Sequence, residues 1–488
     1  MRSYRVLKNH LDNKDPDTMS NYGTPYHRQG KPAVLAALLL LLSGCATYKP
    51  QPLDTASPLR ARVDALRLHA APPSGEAGAD YIVNPVDGLD LTEIGILAVL
   101  NNPDLTTRRA QWRVAEAQMF SAGLWPDPQV SYGLDKPTGN TSGLVNAWSL
   151  GLNYDLIPVV TRGARVEAAG RQQDQVRLDL LWQEWQVMQQ ARLLAVRQQL
   201  ESERLTLLNR MHALYSDRYG RSARALRSGD ITLDVNGTDL TALLDTLSQI
   251  NQLEQTHNQT RHDLNLLLGL VPDVEIIFTP LQPPTPLARE QVDAQLQSLS
   301  ERRPDLLALK AGYASQEASV RAAILAQFPS LGIGITRARD TGNVDTAGFS
   351  ISLSLPLLSG NRGNIAIERA TREHLREDFR ARLAQAQTDV ARLLTLQTIL
   401  QRQIDDLQRY LPQLKTLVDR AEQAYSKGDI DALTFLNMES TWVNKRLEQI
   451  GLTQTSWEND IALTALLALP SYPRQPLLTL PEERKQAP

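Results

Sequence analysis

Residues 379–425 read FRARLAQAQTDVARLLTLQTILQRQIDDLQRYLPQLKTLVDRAEQAY, and in them one residue class recurs in steps of four and three. The stripe runs Phe379, Leu383, Ala386, Val390, Leu393, Gln397, Leu400, Ile404, Leu407, Leu411, Leu414, Val418, Ala421 and Tyr425, with Gln397 its one clearly polar member. A heptad pattern sustained for roughly six repeats predicts a helix packed lengthwise against other helices. At about 1.5 Å per residue it spans on the order of 70 Å, more than the diameter of a small domain. Pro412 lacks a backbone donor and crowds the preceding turn, so a kink or a helix junction is expected there. The run ends at Lys427-Gly428-Asp429-Ile430, and a second stripe returns through Leu433, Leu436, Ser440, Val443, Leu447, Ile450, Gln454, Trp457, Ile461, Thr464 and Ala468. Two stripes joined by a short glycine turn make an antiparallel helical hairpin.

The same events occur once earlier in the chain. A helical segment over residues 91–123 is punctuated by Asn102-Pro103-Asp104-Leu105, after which the period changes to two. Val130, Tyr132 and Leu134 alternate with polar residues or glycine, as do Trp148, Leu150, Leu152, Tyr154 and Leu156, which predicts two strands with one apolar and one polar face. Pro158 and Gly163 mark the exit into a helix from about residue 165 to 219, and Arg227-Ser228-Gly229-Asp230-Ile231 turns the chain back through residues 240–268. Pro280, Pro283, Pro284 and Pro286 form a linker, and the order then repeats. Arg303-Pro304-Asp305-Leu306 echoes Asn102-Pro103-Asp104-Leu105, and Phe328-Pro329 echoes Trp125-Pro126. New strands at 331–336 and 349–355 carry Phe349, Ile351, Leu353 and Leu355 against Ser350, Ser352 and Ser354, and Gly428-Asp429-Ile430 echoes Gly229-Asp230-Ile231. Four landmarks in one order at nearly one spacing indicate a duplication.

The chain has 488 residues, 5% aromatics, a mean hydropathy of -0.30 and a net charge of -3, with no basic excess to argue for nucleic acid. Its single cysteine, Cys45, excludes an internal disulfide. Arg28 and Lys31 precede an apolar run at 33–42, too short to span a membrane and suited to a secretory signal. Met19 is an alternative start to Met1, given the length of the segment before that run. The reading divides the chain into a signal segment (1–44), an N-terminal tether (45–87), a first repeat (88–279), a Pro-rich linker (280–287), a second repeat (288–469) and a Pro-rich tail (470–488).

Leu42-Ser43-Gly44-Cys45 resembles the bacterial lipobox, in which the cysteine is lipidated and becomes the mature first residue. An ordinary signal peptide cut elsewhere is the competing reading. Removing residues 1–44 removes six basic and three acidic side chains, which takes the net charge from -3 to -6. Four strands cannot close a barrel, and an open edge in lipid costs several kcal/mol per unsatisfied group, so several copies would be needed. Apolar-out, polar-in alternation suits an outer-membrane barrel with a watery interior, although a soluble sandwich with one wet face alternates in the same way.

Duplicated halves, lipobox, strand hairpins and glycine-tipped helical hairpins together resemble the TolC family of outer-membrane efflux channels. The most family-like stretches are Glu301-Arg302-Arg303-Pro304-Asp305-Leu306, Ala326-Gln327-Phe328-Pro329-Ser330 and Leu353-Ser354-Leu355-Pro356-Leu357. Residues 307–340, with Gly363-Asn364-Ile365-Ala366-Ile367-Glu368-Arg369, are most similar to the cation-efflux branch, with heavy-metal cations as candidate cargo. The resemblance implies a mainly α fold with β: paired helical hairpins in a coiled-coil α-barrel, and four strands per chain in a twelve-stranded barrel of a homotrimer. It also implies a lipid-anchored outer-membrane location with a periplasmic extension, and a passive duct without cofactor. Trp148, Leu150, Leu152, Ile351 and Leu353 would then face outer-membrane lipid. The tips, with Arg227, Gly229, Asp230, Ile231, Lys427, Gly428, Asp429 and Ile430, would meet a periplasmic membrane-fusion adaptor and, through it, an inner-membrane transporter. Where many members carry aspartates at a periplasmic gate this chain has Thr434 and Asn437, with Asp431, Asp429 and Glu439 nearby.

No histidine pair in the mature chain has the i, i+4 spacing of a metal site, and His257 and His262 read as solvated helix residues. Gly360-Asn361-Arg362-Gly363 lacks the lysine and serine of a phosphate loop and reads as a strand-to-helix turn. No nucleophile and base arrangement is recognisable, Asp405-Asp406 reads as a solvated face, and neither metal nor catalytic residues are expected. The rival from another class is a periplasmic coiled-coil adaptor or structural lipoprotein without a pore.

Overall fold

The computed structural model describes residues 48–70, 81–139, 142–284, 286–356 and 359–469. Cys45, the signal segment and the tail 470–488 lie outside them. Residues 1–57 and 58–488 form two separate units, and in the first the described residues 48–57 are exposed and without helix or strand.

In the second unit a two-residue strand pair, β1 (His69–Ala70) and β2 (Tyr81–Ile82), precedes α1 (Leu91–Asn101) and α2 (Pro103–Gly123). Asp90 opens α1 with a capping box to Glu93, and the Asn102 side chain accepts from the Leu105 N–H at 3.0 Å to open α2, with Pro103 in its first turn. Strands β3 (Gln129–Asp135) and β4 (Ala147–Asp155) lead into the hairpin α3 (Ile157–Ser228) and α4 (Leu233–Leu267). The second half gives α5 (Arg289–Gln297), α6 (Leu299–Arg302), α7 (Pro304–Leu325), β5 (Ser330–Arg339), β6 (Asp345–Ser354) and the hairpin α8 (Arg362–Lys427) and α9 (Ala432–Leu466). The fold is mainly helical with one four-stranded antiparallel sheet, in the order β3-β4-β5-β6.

Every member of the stripe from Phe379 to Tyr425 is buried or half-buried, with Val390, Val418 and Ala386 at 0–2% exposure. On α9, Ile450 and Ile461 pack against Val196 and Leu200 of α3 and Val443 is fully buried, while Leu433 of the second stripe is half exposed. Each such large side chain contributes about 1.5–3 kcal/mol by leaving water. That explains why α8 runs as one helix through Pro412, where a kink or a junction was expected: there is no junction. One lost hydrogen bond costs about 3 kcal/mol, and buried Leu411 and Val418 on either side offset it.

Three further expectations are corrected. The first long helix starts at Ile157 and ends at Ser228, far outside 165–219: Pro158 sits in its first turn, where a missing N–H is harmless. Towards their connecting loop, β5 extends three residues and β6 four residues further than expected. Residues 45–87 are not an extended tether throughout, because Arg60 pairs with Leu270 as a parallel bridge; just beyond them Leu89 pairs likewise with Phe278. Leu66, Val83 and Leu89 are buried there against Leu97 of α1, Leu194 of α3 and Leu264 of α4, at the root of the first hairpin.

Candidate functional site

Two parts of the second unit carry features that its own packing leaves unexplained: the sheet and the helical tips. In the sheet, Val130, Leu152, Ile335 and Phe349 lie side by side on one face, as do Tyr154, Ile333 and Ile351. All but the half-buried Tyr154 stay exposed, Val130 at 70%, Phe349 at 67% and Ile351 at 64%. A monomer that buried its apolar surface would not leave this row in water. Trp148, Leu150, Leu152, Ile351 and Leu353 all share that face, and Ser149, Asn153, Ser350 and Ser352 share the other.

The second face is a checkerboard of glycines and small polar residues. A Cβ added at Gly133 would meet Ser149 Oγ at 2.7 Å, at Gly151 it would meet Ser131 Oγ at 2.6 Å, and at Gly334 both Asn153 Oδ1 and Ser350 Oγ at 2.6 Å. Side chains crowd together on the concave side of a curled sheet, so alternating glycine with serine lets that side close inward. Those glycines were a readable signal, at every second position opposite the apolar row. Among the described residues β3 and β6 are free edges, and no helix is long and apolar enough to cross a membrane.

At the tips Gly229 and Gly428 are left-handed, and Arg227, Asp230, Lys427 and Asp429 are exposed around them. Ile231 and Ile430 turn inward instead. Ile430 packs on Ala421, Phe435 and Leu436, and Ile231 lines a cleft of about 350 Å³ between the two hairpins. Arg218 of α3 is ion-paired with Asp239 of α4 at 2.7 Å, and Asp239 is only 3% exposed. Arg221 of α3 donates to the Tyr425 hydroxyl of α8 at 2.7 Å and pairs with Asp217, whose carboxyl it holds below the usual range. One guanidinium therefore ties the first hairpin to the second.

Asp431 faces the same cleft and caps α9, accepting from the Thr434 N–H at 2.7 Å; that bond holds its carboxyl below the usual range. Thr434 is half-buried and Asn437 exposed. Glu439 is 2% exposed and ion-paired with Arg210 of α3 at 2.9 Å, so it ties helices together and does not line a passage. Trp442 of α9 lies between Arg210 and Lys415, their charges 5.7 and 5.2 Å from its ring. Sequence reasoning missed Arg218, Asp239, Arg221 and Tyr425 as a set. The usable signal was Asp239 itself, a carboxylate in register with Thr246, Ile250 and Leu253 on the buried face of α4.

His257 is not a solvated helix residue. Its Nδ1 lies 3.5 Å from Glu201 of α3, a carboxylate 4% exposed whose pKa burial raises, and which accepts from the Thr260 hydroxyl at 3.2 Å. Among the described residues no three metal-ligating side chains come together.

Residues 295–469 match the outer membrane efflux protein family. The cation efflux system protein CusC of Escherichia coli K12 is 26% identical over 176 residues, 34% of this chain and 38% of CusC. The multidrug resistance outer membrane protein MdtQ of Escherichia coli O157:H7 is 25% identical over 413 residues, 73% of this chain and 80% of MdtQ. A solved structure of CusC, described in terms of transmembrane channel formation, shares the fold with a TM-score of 0.61 at 20% identity, over 86% of this chain and 98% of that one.

Proposed function

We propose that the chain is the outer-membrane component of a tripartite efflux system, a passive exit duct that joins a periplasmic adaptor to an inner-membrane pump. The observation that carries this reading is the sheet: two free edges, an exposed apolar face and a small-residue face that favours inward curling. Three copies supply twelve strands, enough to close a barrel with its backbone satisfied and its apolar row against lipid. A pore-free adaptor would have no use for that row. Cys45 serves as a lipid anchor in the same membrane, and the adaptor meets the exposed Arg227, Asp230, Lys427 and Asp429, since Ile231 and Ile430 are occupied within the hairpins.

Energy and cargo selection belong to the pump. Metal cations are the cargo to test first, because CusC carries that description; MdtQ, of similar identity, is described for multidrug resistance, as suits a duct whose cargo others choose. Protein purified from outer membranes and placed in planar bilayers should give discrete single-channel conductance. Leu353→Arg, on the lipid face, should lose roughly 2–4 kcal/mol of insertion stability per chain, while Ser352→Arg should insert and change only conductance. Equal loss from both would overturn the register, and absence of any conductance would favour the pore-free reading.

A further inference from the structure

The apolar face of the sheet ends differently at its two margins. Towards the helices it meets Trp125 and Phe328, both well exposed. The cation there, Arg162, is engaged internally, 4.9 Å over the Trp125 ring and donating to the Gly123 carbonyl at 3.0 Å. Towards the strand loops β5 continues the same face with Arg337 and Arg339, two and four residues beyond Ile335. The pairing sets Arg337 beside Leu150 and Ala347, and Arg339 beside Trp148 and Asp345. Arg339 is ion-paired with Asp345 at 3.0 Å. The Arg337 side chain is exposed and makes no hydrogen bond among the described residues, and Asp345, which Arg339 pairs with, is the carboxylate within its electrostatic reach.

We propose that Arg337, with Arg339 beside it, forms an outward cationic rim that binds the phosphate groups of lipids in the leaflet on the side of the strand loops. The proposal rests on the channel reading above. An arginine at the margin of an apolar band lays its stem along that surface and carries its charge to the headgroups. Its planar fork matches phosphate oxygens two at a time. The charges adjoin an exposed face of aliphatic and aromatic side chains, so the occupant that satisfies both is an amphiphile with acyl chains and a phosphorylated head. A soluble anion would leave that face bare.

The test gives detergent-solubilised full-length protein an equimolar mixture of a diphosphorylated, acylated glucosamine lipid and its dephosphorylated form. Retained lipid is counted by native mass spectrometry, and insertion is scored separately by conductance. The wild type should prefer the phosphorylated lipid, and Arg337→Gln should lower that preference roughly fivefold, the effect expected of one basic side chain at an anionic lipid surface. Arg337→Lys, which keeps the charge, should retain most of it. Equal retention of both lipids by a conducting wild type, an unchanged preference in Arg337→Gln, or full displacement by equimolar inorganic phosphate would each overturn the rim while leaving the channel standing. A protein that neither inserts nor conducts would overturn the channel reading, and the rim with it.

Discussion

The two helical tips share a turn and differ in what holds them. At each, a left-handed glycine, φ 83° at Gly229 and 81° at Gly428, is closed by the same two backbone bonds. Gly229 and Asp230 donate to Leu226 and Ala225 at 3.1 and 2.9 Å; Gly428 and Asp429 donate to Tyr425 and Ala424 at 3.0 and 2.9 Å. Behind the turn the first hairpin is held by the buried Arg218–Asp239 pair. The second is held by Tyr425 stacked on Phe435, centroids 5.4 Å apart, and by the Asp431 cap, for which Thr232 of the first tip offers no side-chain equivalent. A repeated Gly-Asp-Ile thus specifies the turn alone. Whatever binds the helices to each other lies outside the tripeptide, ten and eleven residues from Gly229 in the first hairpin and three to seven from Gly428 in the second, where the two halves have diverged.

The largest effect that would sharpen this contrast is Arg218→Ala. It leaves the Asp239 carboxylate buried without its cation, which should cost about 3–5 kcal/mol in chemical unfolding. A loss no larger than that of the exposed Arg227→Ala would show that the pair does not hold the first hairpin. Gly229→Ala and Gly428→Ala come next, at about 1–2 kcal/mol each by thermal unfolding, because a side chain is strained in the left-handed region. Nothing lies within 4 Å of either added Cβ, so the two costs should match, and a marked inequality would break the claim of a shared turn. Phe435→Leu should cost about 0.5–1.5 kcal/mol, the surplus of an aromatic pair, with faster amide exchange in the second hairpin and none in the first.

The smallest effect is a pH dependence of the second tip. The Asp431 carboxyl titrates below its ordinary value when folded, so its contribution is present above the unfolded pKa and is lost as pH falls through the folded one. Amide exchange at Thr434 should quicken over that acid window in the wild type and stay level across it in Asp431→Asn. The same quickening in Asp431→Asn would assign the effect to something other than this cap, such as Asp234, which hydrogen bonds hold low in the first turn of α4.

The long helices show why one half was easier to read than the other. Helix α8 packs on α9 and α7 and buries one stripe, so its period was visible along its length. Helix α3 is enclosed by α1, α2, α4, α7 and α9, and buries neighbours such as Ala191, Leu194, Ala195 and Val196 around its circumference. No single face then stands out, and both its ends were misplaced. Strands were legible wherever apolar and polar residues alternate, and their last residues towards the loop were not, because Arg337 and Arg339 break the alternation.

By itself the sequence determined the local geometry: the heptad stripe, the alternating strands, the glycine turns and the order in which they recur. Each depends on residues within a turn or two of each other, where period and backbone conformation decide. Only the tertiary structure decided that Ile231 and Ile430 point inward, that His257 meets Glu201, that Leu66, Val83 and Leu89 belong to the core, and that Arg221 reaches Tyr425. Arg221 and Tyr425 are 204 positions apart. Their meeting is set by how two hairpins dock, and the free energy that fixes the docking is spread over buried side chains along four helices.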